Sequence, residues 1–300
     1  MPALVRYRRR ERPDVFLSAA NHVHLASLLT HRIDRRRVPL VLRVSNHLTR
    51  SHVGPGAGAR PLRLRFARRA YAWADAVIAV SRGISEDLSS TTAIAADRLF
   101  SVPNPTWSPA FETAAATALD HPWLAPGSPP VVLAAGRLAP AKDFETLVRA
   151  FAKVRAERPV RLIVLGEGGL RDSIEGLVRE LGVEEDVQLP GFVDNPFPWM
   201  ARAGVFVLSS AWEGSPGVLI EAMGCGCPVV ATDCPSGPDE ILASGAFGPL
   251  VPVGDADAMA RAVLARLDAP RGAEELRARA REFGIDAAVD AYLAVLSRFG

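Results

Sequence analysis

Short runs of β-branched and other apolar residues alternate along this chain with longer stretches in which apolar positions return at helical spacing. The alternation predicts parallel strands joined by crossover helices on both faces of a sheet, an α/β architecture. In the first part of the chain, strands are expected at 14–19 (DVFLSA), 39–45 (PLVLRVS), 76–80 (AVIAV) and 99–102 (LFSV). Helices fill the gaps, and Ser81, directly before RGISEDL, is placed to cap one of them. His22 and His24 read as helix or turn residues rather than ligands.

Between Pro103 and Pro130 the chain is rich in Pro, Ala, Ser and Thr and includes Asn104-Pro105, Ser108-Pro109 and Gly127-Ser128-Pro129-Pro130, the punctuation of a linker. A second series follows, with strands at 131–136, 161–166, 187–192, 205–210, 228–232 and 248–253 and helices near 143–157, near 170–181 and from about 217. The predicted plan is a first domain over 1–110, a linker over 111–130, a second domain over 131–282 and a closing helix over 283–300. Two open sheets joined in this way enclose a cleft, and ligands of such sheets bind outside the carboxyl ends of the strands.

The chain has 300 residues, 49% of them hydrophobic, enough for two cores of ordinary size. No apolar run approaches the ~18 residues of a membrane span, and the opening MPALVRYRRRERPD lacks the apolar segment of a secretory signal, so a cytoplasmic protein is expected. Cys225, Cys227 and Cys234 lie far from all six histidines, which precede residue 122; packing residues in a reducing compartment fit better than a zinc site. The net charge of +2 hides an asymmetry: residues 1–82 hold 17 arginines against four acidic residues, a net +13, and the remainder carries −11. A basic half attracts an anionic membrane surface, a pyrophosphate-linked acceptor or, on charge alone, nucleic acid; an arginine-rich composition on solvated faces gives the same count.

Three stretches carry candidate chemistry. In SSAWEGSPGVLIEAMGCGCPVVAT, a strand leads into a loop with Glu213, Gly214, Ser215, Pro216 and Gly217, and then into a helix bearing Glu221 about one turn in. Small loop residues and a helix N-terminus, with roughly half a unit of positive charge, make a seat for phosphate, although a tight strand–loop–helix connection has the same composition. In AAGRLAPAKDFETL, Gly136, Arg137 and Lys142 follow a strand, and Asp143 is placed to cap the next helix. Arg137 and Lys142 can neutralise a diphosphate leaving group, or form surface ion pairs. The chain has 33 arginines and only two lysines, Lys142 and Lys153, so Lys142 marks a place where a compact ammonium is suited. LGEGGL is a third glycine-rich turn, with Gly166 and Glu167; it lacks the dinucleotide and P-loop spacings, which disfavours nicotinamide and ATP enzymes.

Taken together, Gly136-Arg137 with Lys142, Gly166-Glu167-Gly168, Gly191-Phe192, and Glu213 with Glu221 ahead of CGCPVVAT resemble the retaining glycosyltransferases of family four. The segments PDVFLSAANHVHLASLL, VSNHLTR and ADAVIAVSRGISEDL to VPNP also resemble the later part of that family's amino-terminal domain. The resemblance implies a GT-B fold, two Rossmann-like domains facing a cleft, with the first incomplete because no strand with a glycine-rich loop precedes Asp14. It implies a nucleotide diphosphate sugar, UDP-linked in preference to GDP-mannose, as co-substrate, with no metal and no other cofactor. Arg137 and Lys142 would take the diphosphate, Glu221 the ribose and Glu213 the donor sugar. Gly214, Ser215, Pro216, Gly217 and Val218 would meet the distal phosphate and sugar, Phe192 and Val193 the base, with Gly136, Gly166 and Glu167 lining the same site. His47 falls where such enzymes place a histidine near the reacting centre, and fits equally as a locally bonded strand-end residue.

The implied acceptor is a glycan or a polyprenyl-linked sugar, met through peripheral contact with the anionic inner face of a membrane; no nucleic acid is expected as a partner. Two further readings stand beside the transferase. One is a non-catalytic sugar-nucleotide-binding protein, because the amino-terminal domain is incomplete; the other is a related GT-B epimerase or phosphorylase.

Overall fold

Apolar runs flanked by turn residues form strands where the pattern predicts them, and each run divides its side chains between the two faces of a parallel sheet. The structure, a computed structural model, describes residues 2–34, 38–49, 65–66 and 68–299. Arg50 of the VSNHLTR segment, and Arg35, Arg36, Arg37, Arg60 and Arg63 of the basic half, lie outside the described residues. The chain divides into two units, 1–105 with 286–300, and 106–285.

In the first unit, β1 (Phe16–Ser18), β2 (Leu40–Val44), β3 (Ala76–Ala79) and β4 (Leu99–Ser101) lie side by side in sequence order, all parallel. One face packs Leu40, Leu42, Val44 and Val77 against Leu28, Ile84 and Leu88 from helices Asn21–Ile33 and Arg82–Thr91. The Ser81 side chain caps the second of these helices, accepting from the Ile84 amide. The opposite face, with Val41, Ala76 and Ile78, is covered by Ala291, Tyr292, Val295, Leu296 and Phe299 of the chain's last helix, Ile285–Leu296, and its tail. Arg43 Nε donates to Tyr292 Oη at 3.0 Å on that side.

The predicted roles of His22 and His24 as helix residues agree with their place in helix Asn21–Ile33. His24 is buried, with Nδ1 3.2 Å from Tyr71 Oη and Nε2 3.1 Å from the Ser18 carbonyl oxygen. Burial holds its pKa down at about 4. The unfolded chain therefore binds the extra proton from about pH 6.5 downward while the folded chain resists it until about 4, so stability present above 6.5 is lost through that window. Between pH 7.5 and 5 the first unit is expected to lose about 2 kcal/mol from this group. Denaturant unfolding at the two pH values, with His24→Gln as the comparison, measures it; equal losses in both proteins would refute it.

The second unit contains β5 (Val131–Ala135), β6 (Arg161–Leu165), β7 (Val187–Gly191), β8 (Val205–Leu208), β9 (Val229–Thr232) and β10 (Leu250–Val251), in the order β10-β9-β8-β5-β6-β7, all parallel. Val132, Ala134, Leu162, Val164, Val205 and Val207 face helices Phe144–Glu157, Arg171–Glu180 and Ala256–Asp268. Their neighbours Val131, Leu133, Ile163, Leu165, Phe206 and Leu208 face helices Phe197–Arg202, Gly217–Gly224 and Ala273–Arg281. The three cysteines are free and buried, Cys225 and Cys227 on this second side.

Two boundaries differ from the sequence plan. The stretch 111–130 is part of the second unit rather than a linker, and the boundary falls between Pro105 and Thr106. Its apolar anchors are spaced among Pro, Ala and Ser, which hides them: Phe111, on helix Ala110–Ala115, lies 4.4 Å ring to ring from Phe197, and Trp123 lies 4.8 Å from the Arg161 guanidinium. Upstream, the Trp107 amide donates to the Phe283 carbonyl at 3.0 Å. The closing helix belongs to the first unit from residue 286, because its apolar side covers the β2–β3 face.

Candidate functional site

Strand order reverses at β5: the chain runs from β5 through β6 to β7 on one side and then returns to β8 on the other. Such a switch point leaves a crevice at the carboxyl ends of the two central strands, because the following loops part in opposite directions. In this unit the loops after β5 and β8 open on a cavity of about 670 Å³, within the usual range of small-molecule sites.

After β5, a single-turn helix over Pro140–Lys142 is stopped by Asp143, whose left-handed backbone (φ 43°) starts helix Phe144–Glu157. The Asp143 carboxylate accepts from the Thr146 amide at 3.3 Å and from Thr146 Oγ1 at 2.7 Å, so the predicted cap is present. Lys142 is thereby pointed across the switch point, where Nζ lies 2.5 Å from Glu213 Oε1. Ser210 Oγ donates to the same oxygen at 2.7 Å. The loops are joined below this pair: Ser209 Oγ donates to the Lys142 carbonyl at 2.7 Å and the Ala211 amide to the Ala141 carbonyl at 2.8 Å. Arg137 is exposed on the cavity wall and forms no ion pair with a described residue.

The β5, β6 and β7 ends are tied through backbone. The Gly136 amide donates to the Leu165 carbonyl at 2.9 Å, the Gly166 amide to Gly191 at 2.7 Å and the Leu138 amide to Glu167 at 2.9 Å. Gly166 has φ +132°, and a Cβ there would lie 2.1 Å from the Gly136 carbonyl oxygen; one on Gly168 would lie 2.3 Å from that of Leu138. The glycine-rich turn thus serves first to let three strand ends approach. Glu167 is exposed at the rim and paired with Arg171 at 2.7 Å; that hydrogen bond holds its carboxyl below the ordinary range. Phe192 stands 74% exposed beside Val193 and offers an apolar ring to the cavity.

On the β8 side, helix Gly217–Gly224 begins at Pro216 with no side chain capping its first turn, so the partial positive charge of that end faces the cavity. Glu221 lies one turn in, half-buried, and burial pushes its carboxyl above the ordinary glutamate range. Burial also pushes the neighbouring Cys225 thiol, and that of Cys234, up to about 12, in keeping with packing roles.

The cavity brings together Gly136, Arg137, Lys142, Gly166, Glu167, Phe192, Val193, Glu213, Ser215, Pro216, Gly217, Val218 and Glu221. Two of the expected residues are not on its wall. Gly214 is buried within the loop, between two residues that take the surface positions. His47 belongs to the first unit, after β2, where Nδ1 is 3.6 Å from Asp87 Oδ1. Asp87 also accepts from the Leu48 amide at 2.7 Å and from Thr49 Oγ1 at 2.6 Å. Burial pushes the Asp87 carboxyl up, but the hydrogen bonds from His47, Thr49 and Leu48 outweigh it and bring the pKa to about 2. Asp87 thus orients His47 without having been singled out in the sequence, where it is one more acidic residue on a helix. Nothing in the apolar pattern marks Ser210 either; a small polar residue just past a buried strand is the only sign.

Residues 129–269 match the family described as Glycosyl transferases group 1, and residues 1–106 match Glycosyltransferase Family 4. The chain belongs to glycosyltransferase family four. Among curated members it is 38% identical over 157 residues to the N-acetylgalactosamine-N,N'-diacetylbacillosaminyl-diphospho-undecaprenol 4-alpha-N-acetylgalactosaminyltransferase of Campylobacter jejuni, over 52% of this chain and 42% of that protein. It is 36% identical over 180 residues to the lipopolysaccharide core biosynthesis glycosyltransferase LpsE of Rhizobium meliloti, over 57% of this chain and 51% of that one. The matches to these two relatives thus span about half of each relative's length. The crystal structure of HepE from Anabaena in complex with UDP superposes with a TM-score of 0.79 at 22% identity, over 99% of this chain and 81% of that one, and shares the GT-B fold of this family-four chain. No helix among the described residues is long and apolar enough to cross a membrane.

Proposed function

We propose that the second unit binds a nucleotide diphosphate sugar and that the chain transfers the sugar, a hexose or N-acetylhexosamine, to a glycan or polyprenyl-linked acceptor with retention of configuration. The observation that carries this reading is the convergence, at one switch point, of Lys142, Arg137, an uncapped helix end and two carboxylates. The cations and the helix end suit a diphosphate, whose charge grows as the glycosidic bond breaks, so groups fixed in advance stabilise the transition state more than the ground state. They supply the neutralisation a metal would otherwise give, and the reading requires no further cofactor. Glu221 suits a ribose diol, Glu213 the sugar hydroxyls, and Phe192 with Val193 the base. UDP is favoured over GDP, a choice supported by the UDP bound in the HepE structure. The lipid-linked acceptor draws on the name of the Campylobacter relative and on the basic first unit, in which Arg6, Arg9 and Arg10 are exposed while Arg8 is buried near Asp34. His47, held by Asp87, is assigned to the acceptor side of the reaction.

Calorimetric titration with UDP, GDP and ADP tests the donor assignment: one of them binds, and a chain that takes up none of the three does not have this function. Glu221→Gln separates stability from binding. Its folded-state pKa is raised, so the charged form destabilises the fold once the pH passes that value; at pH 7 the substitution is expected to raise the unfolding midpoint. The same change weakens nucleotide binding about tenfold, as a diol loses a charged acceptor. A variant that is both less stable and equally tight would remove Glu221 from the site.

A further inference from the structure

We propose that Ser210 is a positioning residue of this site, the fixed donor that keeps Glu213 aimed at a donor sugar when Lys142 turns to phosphate; the proposal rests on the donor-binding reading above. Two donors converge on one oxygen of Glu213: Lys142 Nζ at 2.5 Å and Ser210 Oγ at 2.7 Å. The other oxygen, Oε2, accepts from no described residue, and Glu213 lies on the cavity wall. The two donors differ in freedom. Lys142 ends a flexible four-carbon stem beside a cavity suited to a diphosphate, and a doubly charged ligand competes with a single carboxylate for its ammonium.

Ser210 has no such freedom. Its residue is fully buried, and its own carbonyl accepts from Thr232 Oγ1 at 2.6 Å, a bond from β9 that fixes the peptide. Its partner needs holding, because a long, flexible glutamate on a loop loses rotamer freedom when ordered. With Lys142 drawn to phosphate, Ser210 alone retains Oε1 and leaves Oε2 presented to a sugar hydroxyl. The serine therefore acts on the sugar and not on the diphosphate.

Calorimetry with UDP, UDP-glucose, UDP-N-acetylglucosamine, GDP and GDP-mannose on wild type and Ser210→Ala reads that division. Affinity for the bound nucleotide sugar falls about tenfold, that for its free diphosphate by less than about twofold. Equal losses toward both, or no loss toward either, overturn the proposal. A pair of crystal structures gives an arm that needs no ligand: in Lys142→Ala the Glu213 carboxylate keeps its present position, held by Ser210 alone, and in Lys142→Ala/Ser210→Ala it leaves; a carboxylate displaced in the first or retained in the second overturns the proposal. Should the wild type bind none of the five, the donor reading fails, while the crystal arm still decides whether Ser210 holds Glu213. Ser210→Cys, close in volume and a weaker donor, replaces alanine if that variant does not fold.

Discussion

Lys142→Ala is expected to weaken binding of the preferred nucleoside diphosphate about a hundredfold, the largest loss from any single side chain of the cavity. The Lys142 side chain is 22% exposed and that of Glu213 12%, with the ammonium 2.5 Å from the carboxylate, so both charges are partly out of water. Truncating one member of such a pair removes the cation that would meet phosphate and leaves a half-desolvated carboxylate facing the same anion. Both effects act against binding, and losses of about 2–5 kcal/mol are usual when a buried charge pair is broken. Lys153 is the control: it pairs with Asp257 on a helix surface where both are about half exposed or more, and Lys153→Ala should change affinity less than about twofold. Titration calorimetry on the two variants distinguishes them, and equal affinities would end the assignment of Lys142.

Gly166→Ala should destabilise the second unit by about 3 kcal/mol or more, through backbone rather than lost contacts. Its φ of +132° disfavours any side chain, and the new Cβ would fall 2.1 Å from the Gly136 carbonyl oxygen, where main chain must move. Three residues further on, past Gly168, the backbone is open: a Cβ on Gly169 would meet nothing within 4 Å, and Gly169→Ala should change stability by less than about 0.5 kcal/mol. Urea unfolding followed by tryptophan fluorescence measures both, and a mild Gly166→Ala would mean that the β5 and β6 ends need not touch.

The positions of β5 to β9 and of helices Phe144–Glu157 and Gly217–Gly224 are legible in the sequence because burial on two faces leaves continuous apolar runs, and loops carry small residues. The wall of the cavity follows, since parallel strands place their trailing loops at one edge. What is hidden depends on contacts between distant segments. Trp107, Phe111 and Trp123 are single anchors in a proline-rich stretch, so their docking leaves no periodic trace. The Ser210–Glu213 and His47–Asp87 pairs depend on side-chain aim, which spacing does not encode.

The cavity unit is one unbroken stretch of chain, 106–285, whereas the other combines the stretches on either side of it, 1–105 and 286–300. During synthesis, the stretch 286–300 emerges after the cavity unit, and until it does Val41, Ala76 and Ile78 lack the helix that covers them. The half of the chain made first is therefore the half completed second. A ribosome-bound intermediate should show a protease-resistant cavity unit before the sheet of the first unit resists digestion, and emergence of helix Ile285–Leu296 should set the pace at which that sheet stops being sticky.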